Sequence, residues 1–68
     1  MNVYFVQLYK VLDNGETDEK GCLMREDNVP AAFLRAETAK DIAYTVIHTL
    51  NTNMYTQWGF RLVEGETL

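Results

Sequence analysis

Residues 3 to 12, Val-Tyr-Phe-Val-Gln-Leu-Tyr-Lys-Val-Leu, are dense in β-branched and aromatic side chains and stop at Asp13-Asn14-Gly15, a strong turn signal. This run predicts a first strand. Its odd positions are Val3, Phe5, Gln7, Tyr9 and Val11, and its even positions are Tyr4, Val6, Leu8, Lys10 and Leu12. Both faces are largely apolar, which fits a central strand. Gly21, Cys22, Leu23, Met24 and Arg25 can pair back as a second strand, with a connection longer than a two-residue hairpin that leaves the register open. Asn28-Val29-Pro30 then breaks the chain, because Pro30 has no amide hydrogen and biases Val29 toward extended backbone. Ala31 to Arg35 follows as a short third strand.

The period next changes to that of a helix. Thr38 is placed as an N-cap with Asp41 at the third helical position, an acid that favours the positive end of the helix dipole. Ala39, Ile42, Ala43, Val46, Ile47 and Leu50 then recur at the spacing of one buried face, and the pattern fades through Asn51-Thr52-Asn53. Alternation returns in Trp58-Gly59-Phe60-Arg61-Leu62-Val63-Glu64, with Trp58, Phe60 and Leu62 on one side and Arg61 on the other. Phe60 is expected to pack beneath the helix, and Trp58 either to pack there or, at a strand edge, to keep the polar end of its ring in water. The pattern therefore predicts an α+β domain, in β-β-β-α-β order, with an antiparallel sheet of three or four strands and one packed helix. One helix covers one face of such a sheet, so the other face is expected to stay open and to serve as a binding surface. The parity of the first strand is not fixed by its pattern. Tyr4 and Leu8 with Arg61 are the candidates for the open face, and Phe5 and Tyr9 are the alternative.

A length of 68 residues gives one domain, residues 1–68, that buries a small share of its surface. Hydrophobic content of 47%, with Gly and Pro scarce, argues for a folded chain. The single cysteine, Cys22, cannot form an internal disulfide. Together with a strand-like start that has no basic leader segment, this predicts a cytoplasmic protein. No apolar run reaches membrane-spanning length. A sequence pI near 4.7 without a basic cluster disfavours direct contact with a nucleic-acid backbone.

Charge is unevenly placed. Residues 13 to 27 carry Asp13, Glu16, Asp18, Glu19, Glu26 and Asp27 against Lys20 and Arg25, which accounts for the formal net charge of −4. The carboxylate spacing does not match a calcium loop, which needs alternating oxygens, glycine at the sixth position and an acid at the twelfth. A solvated hairpin tip is the ordinary reading, and steering toward a basic partner is the functional one. His48, the only histidine, lies off the apolar stripe on a flank with Tyr44, where a contact role outweighs acid–base work because no pocket or partner group is in evidence. Cys22 sits near acids, which do not activate a thiol, and one Cys with one His cannot build a zinc site. The glycines are scattered, so no phosphate-cradling loop exists. No enzyme, cofactor or metal chemistry is expected.

Ala36-Glu37-Thr38 leading the helix and Gly59-Phe60 in the strand after it give residues 30 to 64 a layout that resembles the short phage-encoded inhibitors of bacterial RNA polymerase. The long first strand departs from that layout, and the family's functional arginine and acidic strand residues do not carry over position by position. The resemblance implies a compact acidic phage or mobile-element protein that occupies a surface of a host nucleic-acid-handling complex, RNA polymerase or a CRISPR effector. The competing expectation is a small homodimeric structural or antitoxin-like module closed through its open sheet face.

Overall fold

The apolar run at the N-terminus forms β1 (Asn2–Val11), and its two apolar faces follow from its place at the centre of the sheet. The computed structural model describes residues 2–54 and 56–66. After β1 come β2 (Thr17–Cys22), β3 (Ala32–Phe33), α1 (Ala36–Met54) and β4 (Gln57–Glu66). All pairing is antiparallel, and every pair includes β1. On one side β4 runs the full length of β1, from Asn2 opposite Glu66 to Val11 opposite Gln57. On the other side β2 and β3 share β1 end to end, β2 along Gln7–Val11 and β3 along Tyr4 and Phe5. Strands of ten residues at about 3.3 Å each make the molecule long, with extents of 40 × 23 × 21 Å.

The expected α+β class and element order are present, but several boundaries move. The second strand starts at Thr17 instead of Gly21, because the turn after β1 is tight. Leu12 donates its N–H to the Glu16 carbonyl at 2.8 Å and Gly15 donates to the Leu12 carbonyl at 2.9 Å, while Gly15 takes the positive φ of 85° that closes the turn. Of the six acids of the acidic stretch, Asp18 and Glu19 are thus in β2 and the other four lie outside it. A second small hairpin projects from the sheet where Met24 bridges to Pro30, turning through Asn28 at φ 61°. It leaves only Ala32 and Phe33 for the third strand.

The helix is longer than its apolar stripe at both ends. Ala39 donates to the Arg35 carbonyl at 3.1 Å, which makes Arg35 the N-cap and puts Thr38 inside the first turn. Ala36 and Glu37 favour helix, and Glu37 supplies the first-turn carboxylate expected from Asp41. At the other end Asn51 remains helical because its side chain is used: it accepts the Trp58 N–H at 2.6 Å and donates to the Trp58 carbonyl at 3.4 Å.

The core is small. Val6, Ala39 and Ala43 are fully buried, and Tyr4, Leu8, Leu23, Phe33, Phe60 and Leu62 pack around them. Two alanines one turn apart let the helix axis approach β1 closely over Val6. Tyr44 and Asn51 hold one flank of α1 to β4, and α1 lies over β4 and β1 more than over β3. Ile42 is on the opposite flank, so it is 41% exposed and not in the buried face where its spacing put it. Val6→Ala is expected to lower stability by about 2 kcal/mol, and Ile42→Ala by less than about 1 kcal/mol. Urea titration of the two variants checks this ranking, and equal losses would place the core on the Ile42 side.

Candidate protein-binding surface

The register decides which side chains share a face. Leu8 lies opposite Phe60 and Val6 opposite Leu62, and all four belong to the core beneath the helix. Tyr4 packs there too. Tyr4 and Leu8 are therefore on the covered side, and the open-face parity that joined them to Arg61 is corrected. Side chains alternate along a strand, so covering Val6 with the helix fixes its even-numbered neighbours on that face. Val3, Phe5, Gln7, Tyr9 and Val11 take the open side, with Arg61 opposite Gln7 and Val63 opposite Phe5.

The open face is partly sealed by its own aromatic rings. Tyr9 lies across Gly59, where an added Cβ would come within 2.5 Å of the ring, and Phe5 lies over Gly65, where the corresponding distance is 3.0 Å. The Arg61 guanidinium stacks 4.6 Å from the Tyr9 ring centroid and pairs with the Glu19 carboxylate. Glu19 reaches this face because of a bulge. Leu8 is opposite Gly21 and Tyr9 is opposite Glu19, so Lys20 is an extra residue that shifts the alternation of β2, with Gly21 at φ 91° beside it. The cation–π contact is worth about 0.5–1 kcal/mol and the exposed ion pair about 0.2–1 kcal/mol. Their larger effect is geometric: they hold Tyr9 flat.

The acidic residues divide into two tips and a strand between them. Asp13 and Glu16 are on the first turn, where the Glu16 N–H also bonds the Asn14 Oδ1 at 3.0 Å. Glu26 and Asp27 are on the second hairpin, and Asp27 pairs with Arg25 at 2.8 Å. Along β2, Asp18 pairs with Lys20 at 2.8 Å and Glu19 with Arg61. Among the described residues Asp13, Glu16 and Glu26 make no salt bridge. No three of the described His, Cys, Asp and Glu residues are grouped to hold a metal ion.

On the helix flank Tyr44 is 59% exposed and meets Phe60 edge to face, with ring centroids 5.1 Å apart. His48, one turn further along, is exposed. Of the two placements expected for Trp58, the wet ring end is not the one found: its Nε1 is buried without a hydrogen-bond partner among the described residues, as is the nearby Thr56 Oγ1. Thr56 lines a cavity of about 410 Å³ with Lys10, Val11, Leu12, Asp13 and Gln57 at the end of the sheet. The residue that pattern reasoning missed is Asn51. A polar residue directly after Leu50, the last apolar position of the stripe, and seven positions before the strand residue it holds, was the available signal.

Among the described residues no helix is long and apolar enough to cross a membrane. Comparison with protein-family models, characterised proteins and solved structures finds no match.

Gly59→Ala is expected to displace the Tyr9 ring and cost about 1–3 kcal/mol, more than Gly65→Ala. Denaturant midpoints for the two variants, with near-ultraviolet circular dichroism for the tyrosine environment, test this. Unchanged stability in Gly59→Ala would show that Tyr9 is not held against the strand.

Proposed function

We propose that this chain acts by binding another protein, without chemistry of its own, as a phage or mobile-element inhibitor that occupies a basic surface of a host nucleic-acid-handling complex, RNA polymerase or a CRISPR effector. The observation that carries this reading is the display of charge. Two turns, Asp13 to Glu16 at the end of the sheet where β1 passes to β2 and Arg25 to Asn28 between β2 and β3, hold Asp13, Glu16 and Glu26 outside any salt bridge of the described residues. Carboxylates held on short hydrogen-bonded turns steer association with a basic surface while leaving the core untouched. The channels of nucleic-acid machines present such surfaces.

The competing reading, a homodimer closed through the open face, has less to work with. The rings of Phe5 and Tyr9 already lie on Gly65 and Gly59, and Arg61 already covers Tyr9. Val63, at 40% exposure, is the large apolar side chain that this face leaves most open.

The test is a pull-down from bacterial lysate with the native chain and with Asp13→Lys, Glu16→Lys and Glu26→Lys combined. The native chain should capture a large nucleic-acid-handling assembly. The variant should fold normally yet associate with it roughly tenfold more slowly at low salt, with the difference shrinking as salt rises. Equal capture at equal rate would reduce the acidic turns to a solubility feature.

A further inference from the structure

The outer edge of β4 is open. Among the described residues β4 pairs only with β1. The direction of its backbone groups follows from two independent bonds. The Val6 carbonyl accepts the Leu23 N–H at 2.8 Å, so the polar groups of Val6 point away from β4, and those of its opposite residue Leu62 point outward. Trp58, of the same parity as Leu62, bonds with both its N–H and its carbonyl to the Asn51 side chain. The outward residues of β4 are therefore Trp58, Phe60, Leu62, Glu64 and Glu66. Asn51 satisfies the first of these, and the N–H and carbonyl groups of the other four present a free ladder.

We propose that this edge, from Phe60 to Glu66, takes an extended basic segment of a partner protein as an added antiparallel strand. The inference rests on reading the chain as a protein-binding module, but it uses a surface separate from the acidic turns. Main-chain bonds to a sheet edge supply affinity, and alternate side chains supply selectivity. Residues directly opposite Phe60, Leu62, Glu64 and Glu66 share their face of the sheet, the helix side. Tyr44, standing edge-on to Phe60, walls the apolar end. Glu64 and Glu66 make the other end acidic, and neither is in a salt bridge of the described residues. Read from its N-terminus, the incoming strand then has Lys or Arg at its first and third positions and apolar residues at its fifth and seventh. The Asn51 amide at Trp58 stops it there.

A second copy of the chain fits this edge less well. Two-fold pairing of β4 with itself joins outward residues only to outward residues, and the single cation of β4, Arg61, is of the other parity and on the other face. Glu64 and Glu66 would meet no positive charge.

The probe is an acetylated, amidated peptide Lys-Thr-Lys-Thr-Val-Thr-Phe, titrated into the full chain with amide shifts followed by NMR. Shifts and slowed hydrogen exchange are expected at Phe60, Leu62, Glu64 and Glu66. N-methylation of the valine, whose amide faces β4 in this register, should abolish binding, whereas N-methylation of the threonine before it should not. Glu64→Gln with Glu66→Gln should weaken binding roughly tenfold. The variant with lysines at 13, 16 and 26 should bind the peptide like the native chain, which separates this surface from the acidic turns. The proposal is overturned by any of three results: no shifts at millimolar peptide, shifts confined to Phe5, Tyr9 and Val63, or a concentration-dependent dimer that protects the β4 amides without peptide.

Discussion

The contact of Val6 with Ala39 and Ala43 is the constraint from which the other placements follow. The buried cluster of these three residues seats the helix over β1. Small side chains at positions 39 and 43 let α1 come close to β1, and that close approach puts Phe60 and Leu62 under its flank. Once Val6 faces the helix, the two-residue period of a strand sends Phe5 and Tyr9 to the other side. The register with β4 then sets Arg61 among them. A slip of one residue in that pairing would exchange every one of these environments at once.

Element existence was legible from period, because β1, the helix and β4 are long enough for their patterns to be unambiguous. Boundaries and parity were not. β1 is apolar on both sides for the reason that it is central, and this same property hides which side meets the helix. The signal lay in the other partner: a stripe containing Ala39 and Ala43 has room for a flat β-branched Val6 more readily than for the rings of Phe5 or Tyr9. The start of β2 was missed because Asp18, Glu19 and Lys20 look like loop residues. They are tolerated there because an edge strand of a three-ribbon sheet keeps most of each side chain in water. Of the candidate site, the charge of residues 13–27 was legible as a block. Its division was not: the pairs Asp18–Lys20 and Arg25–Asp27 are local but depend on backbone the pattern left open, and Glu19–Arg61 joins positions 42 residues apart.

The uncovered face illustrates how a small domain limits exposed apolar area without a second layer. Glycine in a strand normally weakens it, through lost packing and greater backbone freedom. At Gly59 and Gly65 the missing side chain instead gives a ring from β1 a place to lie flat on the neighbouring backbone. The bulge at Lys20 completes this arrangement on the Tyr9 side by turning Glu19 toward Arg61. A pattern of scattered glycines that carries no phosphate-binding meaning thus has a packing meaning, one that only the register reveals.

The two outer edges of the sheet are handled differently, and the difference bears on what each can do. The β2 edge is short, carries three consecutive charged residues and is twisted by a bulge, all features that discourage another strand from pairing with it. The β4 edge is ten residues long and regular along its pairing with β1, and its charges on the helix side are Glu64 and Glu66 at one end. Its one structural guard is the Asn51 amide at Trp58, which occupies a single outward position. Two glutamates repel a like-charged strand and attract a basic one, so they filter partners without closing the edge. An edge left open along Phe60 to Glu66, next to a helix flank that exposes Tyr44, has the hydrogen-bonding groups and the side-chain selectivity that strand addition requires.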